Sequence, residues 1–254
     1  MPPQLRQTRV RQGIRALALG WVLLWTPLAP GTGKAPVLPD RFNATFDVEV
    51  LGQTVGQTVW TLEPQPGTGY RLEALTRAKG PFGALLPGER RERSLWDYDG
   101  QGRPRPLHYL FERTGSKPRT SRLDFDWGRG IATSVYRDRT RTLGIAPGTL
   151  DPLTYVLALM QDLTSGRADL AFTFAERGKV KTYHLTREGT ETVETGEGPL
   201  RTERLVRTDE EGRRTTLWCA PSRGYLPARI EHEEPGSPTL VLRLVASKGL
   251  DPRP

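Results

Sequence analysis

The segment Phe42-Asn43-Ala44-Thr45-Phe46-Asp47-Val48-Glu49-Val50 decides the fold class. Phe42, Ala44, Phe46, Val48 and Val50 alternate with Asn43, Thr45, Asp47 and Glu49. Successive side chains of a strand point to opposite sides, so this is a strand with one buried and one solvated face. Gly52-Gln53 follows as a turn, and residues 55–62 read as the return strand of a hairpin.

The same two-residue period runs outward through the chain. It predicts strands over 70–78, 89–96, 107–112, 119–127 and 131–137, then over 168–175, 179–187, 190–194, 200–208, 213–220, 226–233 and 240–246. Gly/Asp/Pro clusters at 99–102, 128–130, 210–212 and 235–237 separate them as turns. Residues 79–88 carry Gly80, Pro81, Gly83, Pro87 and Gly88, yet also the apolar Phe82, Leu85 and Leu86. Apolar side chains in a Gly/Pro loop read as a flap or lid over the core.

One stretch has a helical period. Asp151-Pro152 is an N-cap and first-turn pair, Leu153, Val156, Leu157 and Met160 follow on one face, and Gly166 lies past the end. The expectation is one helix over about 151–163. More than ten short strands with one helix make a mainly β protein: a large antiparallel, strongly curved sheet or open barrel. A flat sheet of that size would expose two long edges and an apolar face.

The N-terminus reads as a secretory signal occupying residues 1–35. Arg6, Arg9, Arg11 and Arg15 precede an apolar run over 16–28 that Pro27 and Pro30 end. The run is shorter than the roughly 20 apolar residues of a spanning helix. Two cuts are open, after Ala29 and after Ala35, and an uncleaved leader would act as an anchor. No cysteine stands near the leader's end, so a lipid-modified product is not expected. Residues 36–248 then make one β-rich domain and 249–254 a loose tail.

The four leader arginines supply half of the formal charge of +8, leaving a mildly basic domain. Export and this weak charge both argue against nucleic acid as a partner. The single cysteine, Cys219, excludes an internal disulfide and reads as a small buried hydrophobe.

Catalytic signatures are missing from the sequence. His108, His184 and His232 stand alone in separate strands, without the close pairs that zinc needs. Gly31-Thr32-Gly33-Lys34 lacks the remaining residues of a phosphate loop. Asp124 and Asp126 alternate with Leu123, Phe125 and Trp127, as on a solvated strand face. No cofactor and no metal are expected. Arg137, Arg139 and Arg141 alternate on one strand face and are candidates for an anionic group such as a lipid phosphate; a solvated edge explains them as well. Arg90, Arg91 and Arg93 form a second cluster.

Several landmarks in order carry a family resemblance. They are Phe125-Asp126-Trp127 before a glycine turn, Asp151-Pro152-Leu153-Thr154-Tyr155, and Lys181-Thr182-Tyr183. Later come Glu191, the turn over 196–202, Trp218-Cys219-Ala220-Pro221 and Tyr225-Leu226-Pro227-Ala228-Arg229-Ile230. Over residues 42–245 the chain resembles the DUF3108 family of proteobacterial exported proteins. Thr154 departs from that pattern, where serine is usual. The resemblance implies a periplasmic β-rich domain with no defined catalytic residues and no established function.

Together these readings give an expected function: a non-enzymatic, uncharacterised periplasmic envelope protein. Its curved sheet would bind an apolar ligand such as a lipid, with Phe82, Leu85, Leu86, Phe125, Trp127, Tyr155 and Trp218 as cavity or lid candidates. Two alternatives stay open: a structural or assembly factor binding another envelope protein, and an enzyme whose site is assembled from scattered residues. Membrane contact would come only through an uncleaved leader or peripheral binding.

Overall fold

The computed structural model describes residues 38–250 except 68, 82–87, 116 and 210. The leader, its cut and residues 251–254 lie outside the described residues. Strand β1 (Phe42–Val50) buries Phe42, Ala44, Phe46 and Val48, as its alternation requires. Then follow β2 (Gln53–Gln65), β3 (Gly69–Ala78), β4 (Arg90–Tyr98), β5 (Pro104–Arg113), β6 (Arg119–Asp126), β7 (Ile131–Tyr136) and β8 (Arg139–Gly144). Helix α1 (Thr154–Thr164) precedes β9 (Leu170–Glu176), β10 (Lys179–Thr195), β11 (Gly198–Thr208), β12 (Arg214–Ala220), β13 (Leu226–Glu233) and β14 (Leu240–Lys248).

All fourteen strands form one antiparallel sheet in the order β8-β7-β6-β5-β4-β3-β2-β1-β14-β13-β12-β11-β10-β9. Two meanders, β1 to β8 and β9 to β14, are joined where β14 pairs with β1. The outer strand β8 approaches the hairpin of β9 and β10. Past β8 the chain bridges β9: Leu150 N donates to Thr173 O at 2.8 Å, and Leu150 O accepts from Ala175 N at 2.9 Å. The result is a nearly closed barrel with a seam between β8 and the β9–β10 hairpin.

Helix α1 is buried on two sides. Leu153, Val156, Leu157 and Met160 join one apolar cluster with Phe46, Trp60, Leu62, Leu72, Trp96, Tyr109 and Leu123. Ala158, Leu159 and Leu163 join another with Phe172, Phe174, Leu205, Leu217 and Cys219. A helix apolar nearly all round belongs inside a core, and the sheet wraps it. The first helical residue is Thr154, three later than the sequence reading, because Asp151 acts from outside the helix. Its Oδ1 accepts from Leu153 N at 2.7 Å and Thr154 N at 2.8 Å, while Thr154 Oγ1 accepts from Asp151 N at 3.0 Å. The Asp151 carboxyl thus satisfies the N–H groups of Leu153 and Thr154 at the entry to the helix, and the next two N–H groups bond to the Asp151 and Leu153 carbonyls.

Tertiary hydrogen bonds at both ends fix the helix lengthwise. Ser94 Oγ of β4 donates to Asp151 Oδ2 at 2.5 Å, midway along the barrel. At the far end Arg103 holds Asp162 bidentately at 2.7 and 3.1 Å, and Gln161 Nε2 donates to Gly102 O at 2.8 Å. The helix therefore occupies the half of the barrel that ends at the β4–β5 turn. The other half carries different side chains. Cross-strand partners share a face, and the register carries the Phe46 face through Thr58, Thr76, Arg90 and Arg113 to Arg119. Two residues on, Ser121 faces Tyr136, which faces Arg139. The inner face is apolar around α1 and rich in arginine at the opposite mouth.

Two boundaries differ from the periodicity. Residues 137–141 do not form one strand: Arg137 and Asp138 take left-handed φ angles of 50° and 59°, a two-residue hairpin turn, so only Arg139 and Arg141 lie on β8. Residues 179–187 and 190–194 are one bent strand, β10, whose register shifts between Arg187 and Thr190 around Gly189 at φ 104°. A glycine tolerates that conformation, so the pairing continues through the bend.

Candidate functional site

Phe82, Leu85 and Leu86 lie outside the described residues. The other four apolar candidates sit in packed surroundings, and none lines a described cleft. Phe125 stacks on Trp127 at 5.7 Å, and the Trp127 indole donates to Pro106 O at 2.7 Å. Tyr155 packs against Phe172 and Phe174 with ring centroids at 5.3 and 4.8 Å. Burial pushes its phenol well above the ordinary range. Trp218 lies beneath the guanidinium groups of Arg204 and Arg229 and donates its indole N–H to Glu191.

The three candidate arginines fare differently. The β7–β8 turn, with Arg137, meets the β9–β10 turn, where Arg177 and Gly178 also have left-handed φ angles of 46° and 77°. The two hairpin tips face each other across the seam. Arg141 crosses the second tip, and its guanidinium donates to Gly178 O at 3.4 Å. Between them lies a cleft of about 310 Å³ lined by Tyr136, Arg137, Arg139, Arg141, Arg177, Gly178 and Lys179. It has five cations and no carboxylate. Among the described residues none of these five cations has an ion pair, whereas Arg90, Arg91, Arg93 and Arg103 are all paired with acids. The second cluster, Arg90 to Arg93, is thus spent on structure, and the first is not.

A smaller chamber of about 150 Å³ adjoins this cleft, sharing Tyr136 and Arg177 with it. Its walls mix donors and acceptors: Arg119, Ser121, Glu176 and Arg177. Beneath them Tyr109 Oη donates to Glu92 Oε2 at 2.6 Å, and Arg90 also donates to Glu92. Pro152, at the entry to α1, also lines it. Arg119 reaches the Tyr136 hydroxyl at 3.4 Å, but its buried Nε has no hydrogen-bond partner. An unsatisfied buried donor costs on the order of 1–3 kcal/mol. Burial raises the Tyr136 phenol, but the Arg119 hydrogen bond and the charges of Arg137, Arg119 and Arg177 prevail, so it lies below its ordinary value. Burial, Arg119 and Arg90 together also lower the Arg113 guanidinium. Uncompensated positive potential is the electrostatic signature of this mouth. A wider open cleft of about 780 Å³ on the neighbouring β5–β6 hairpin shares Arg119 and Arg137.

Arg119, Arg177 and Lys179 were missed by the sequence reading. Arg119 begins β6 and comes beside Tyr136 through the β6–β7 pairing, whereas Arg177 follows β9 in a turn and only the closing of the seam brings it there. Elsewhere the ionisable groups serve structure. Burial, then Glu203, raises the Cys219 thiol far above its usual range. His108 Nδ1 lies 2.7 Å from Asp124 Oδ1, and His232 is 3.1 Å from Thr215 Oγ1. Burial, then Arg207, holds His232 below its ordinary value. Among the described residues no group of three His, Cys, Asp or Glu side chains could hold a metal. No described helix is long and apolar enough to cross a membrane.

The architecture defines a β-barrel-like protein. It is similar to a crystal structure of a beta-barrel-like protein of the domain of unknown function DUF1849 from Brucella abortus. The TM-score is 0.51 at 13% identity, over 84% of this chain and 99% of that one. The chain belongs to the DUF3108 family, proteins of unknown function, whose model matches residues 41–244. No curated protein matches it.

Proposed function

We propose that this is a non-catalytic binding protein of the bacterial envelope, exported to the periplasm by its leader, that holds an anionic ligand at the cationic barrel mouth. The head group of an envelope lipid fits this description. The apolar half of the barrel is filled by α1, which moves the reading from an acyl chain inside the sheet to a charged group at the seam. One observation carries it: Arg137, Arg139, Arg141, Arg177 and Lys179 surround one cleft without a single acid. Like charges held together cost stability, and such a cluster finds its compensation in a ligand of opposite sign. The basic leader and the family resemblance support the location.

Vesicle co-sedimentation tests the reading. The purified chain is expected to bind phosphatidylglycerol vesicles and not phosphatidylcholine vesicles, with binding that weakens as salt screens the charges. The double variant Arg139→Gln/Arg141→Gln is expected to lose most of it. Equal binding to both vesicles, or binding indifferent to the double variant, would sink the proposal.

A further inference from the structure

We propose that the group recognised at the mouth is a sugar phosphate, with the phosphate in the seam cleft and the hydroxyl-bearing ring in the adjoining chamber. This rests on the mouth being a binding site and names its ligand.

The two compartments differ in chemistry. The seam offers guanidinium forks and an ammonium with no acceptor of its own. Guanidinium groups match phosphate oxygens in pairs and bind them by charge-assisted hydrogen bonds. Five uncompensated cations exceed what a single carboxylate neutralises and suit a dianionic phosphate monoester. The chamber is close to charge balance, because Glu92 and Glu176 accompany its arginines. A second anion there would meet two carboxylates. A hydroxyl group, which both donates and accepts, would find Glu176 as acceptor, Ser121 as either, and the Arg119 guanidinium as donor. At about 150 Å³ the chamber holds several times the ~30 Å³ share of one water, which is room for a single ring. Tyr136 and Arg177 line both compartments, so the phosphate and the ring would sit next to each other, as they do in a sugar monophosphate.

Isothermal titration of the full chain with glucose 1-phosphate, inorganic phosphate and glucose tests the assignment. Glucose 1-phosphate is expected to bind at least about tenfold more tightly than inorganic phosphate, and glucose alone not measurably. Arg139→Gln/Arg141→Gln should weaken both phosphates about tenfold or more. Ser121→Ala/Glu176→Gln should bring glucose 1-phosphate down to the inorganic phosphate level without weakening inorganic phosphate. Circular dichroism of each variant confirms the fold, and single variants replace any double variant that fails it. Equal binding of the two phosphates overturns the assignment. If neither binds while phosphatidylglycerol vesicles still do, the sugar phosphate is wrong and the cationic mouth stands; if vesicles fail too, both readings fall.

Discussion

The Ser94 hydroxyl donates a 2.5 Å hydrogen bond to the Asp151 carboxylate, tying the wall of the barrel to the cap of its internal helix. Asp151 is fully buried and has no ion-pair partner among the described residues; its oxygens are held by Leu153 N, Thr154 N and Ser94. Asp151→Ala removes the cap and strands the Ser94 hydroxyl. A cap alone contributes about 1 kcal/mol and an orphaned buried hydroxyl about 1–3 kcal/mol more. Denaturant melts should show a loss of about 2–4 kcal/mol; a loss under 0.5 kcal/mol would contradict the role.

The same burial sets a pH dependence. It raises the Asp151 carboxyl from 3.8 to about 6, although the bonds from Ser94, Thr154 and Leu153 pull the other way. A folded-state value above the unfolded one means that the folded chain holds this proton more tightly. The resulting stabilisation is complete below about pH 4 and is lost as pH rises through about 6, amounting to roughly 3 kcal/mol. Asp151→Asn keeps an acceptor for the cap and carries no charge. The difference in stability between Asn and Asp forms should therefore grow in favour of Asn from pH 4 to pH 7. A difference independent of pH would show that Asp151 titrates normally.

At the other end of the helix, Asp162 is 3% exposed and is gripped by Arg103. Arg103→Ala leaves a buried carboxylate with only Arg167 nearby, at 3.6 Å. Breaking one partner of such a pair costs about 3 kcal/mol. Thermal unfolding should report a large drop for Arg103→Ala and a small one for Arg167→Ala, since Arg167 is half exposed.

Leu157 is 0% exposed and touches the core on the Phe46 side of the barrel. Leu157→Ala opens a cavity there and is expected to cost about 2–5 kcal/mol. Cavity formation at the centre of the barrel also makes the variant a test of whether α1 is a packed part of the core. A change below 1 kcal/mol would mean that the helix is loosely held.

Arginines at the seam have the opposite sign of effect. Arg139→Gln/Arg141→Gln removes two uncompensated charges from a cluster of five. The melting temperature is expected to stay level or rise at low salt, while anion binding falls. A clear loss of stability would indicate that these side chains serve the fold instead of a ligand.

How much of this was legible beforehand varies with the range of the interaction. Alternation at Phe42–Val50 gave that strand its observed limits, because a half-buried strand writes its face into every second residue. The Asp151-Pro152 signal located the helix, but its polarity hid that the capping residue is itself buried. Arg137, Arg139 and Arg141 read as one row, yet a local turn at Arg137-Asp138 divides them, since two left-handed residues leave no trace in hydrophobic period. Arg177 and Lys179 had no signal of their own: their importance comes from the two cations' proximity to residues some forty positions earlier.

The sequence by itself determined most of the strands, the helix over the 151–163 region and the mainly β class, since these follow from local periodicity and capping chemistry; β8, which has no apolar alternation, was not among them. Only the tertiary structure decided that the helix fills one half of the barrel and that arginines collect unpaired at the other. Both depend on how the sheet curls until β8 reaches the β9–β10 hairpin, and that closure is set by the summed twist and register of fourteen strands, a sum no local stretch of sequence contains.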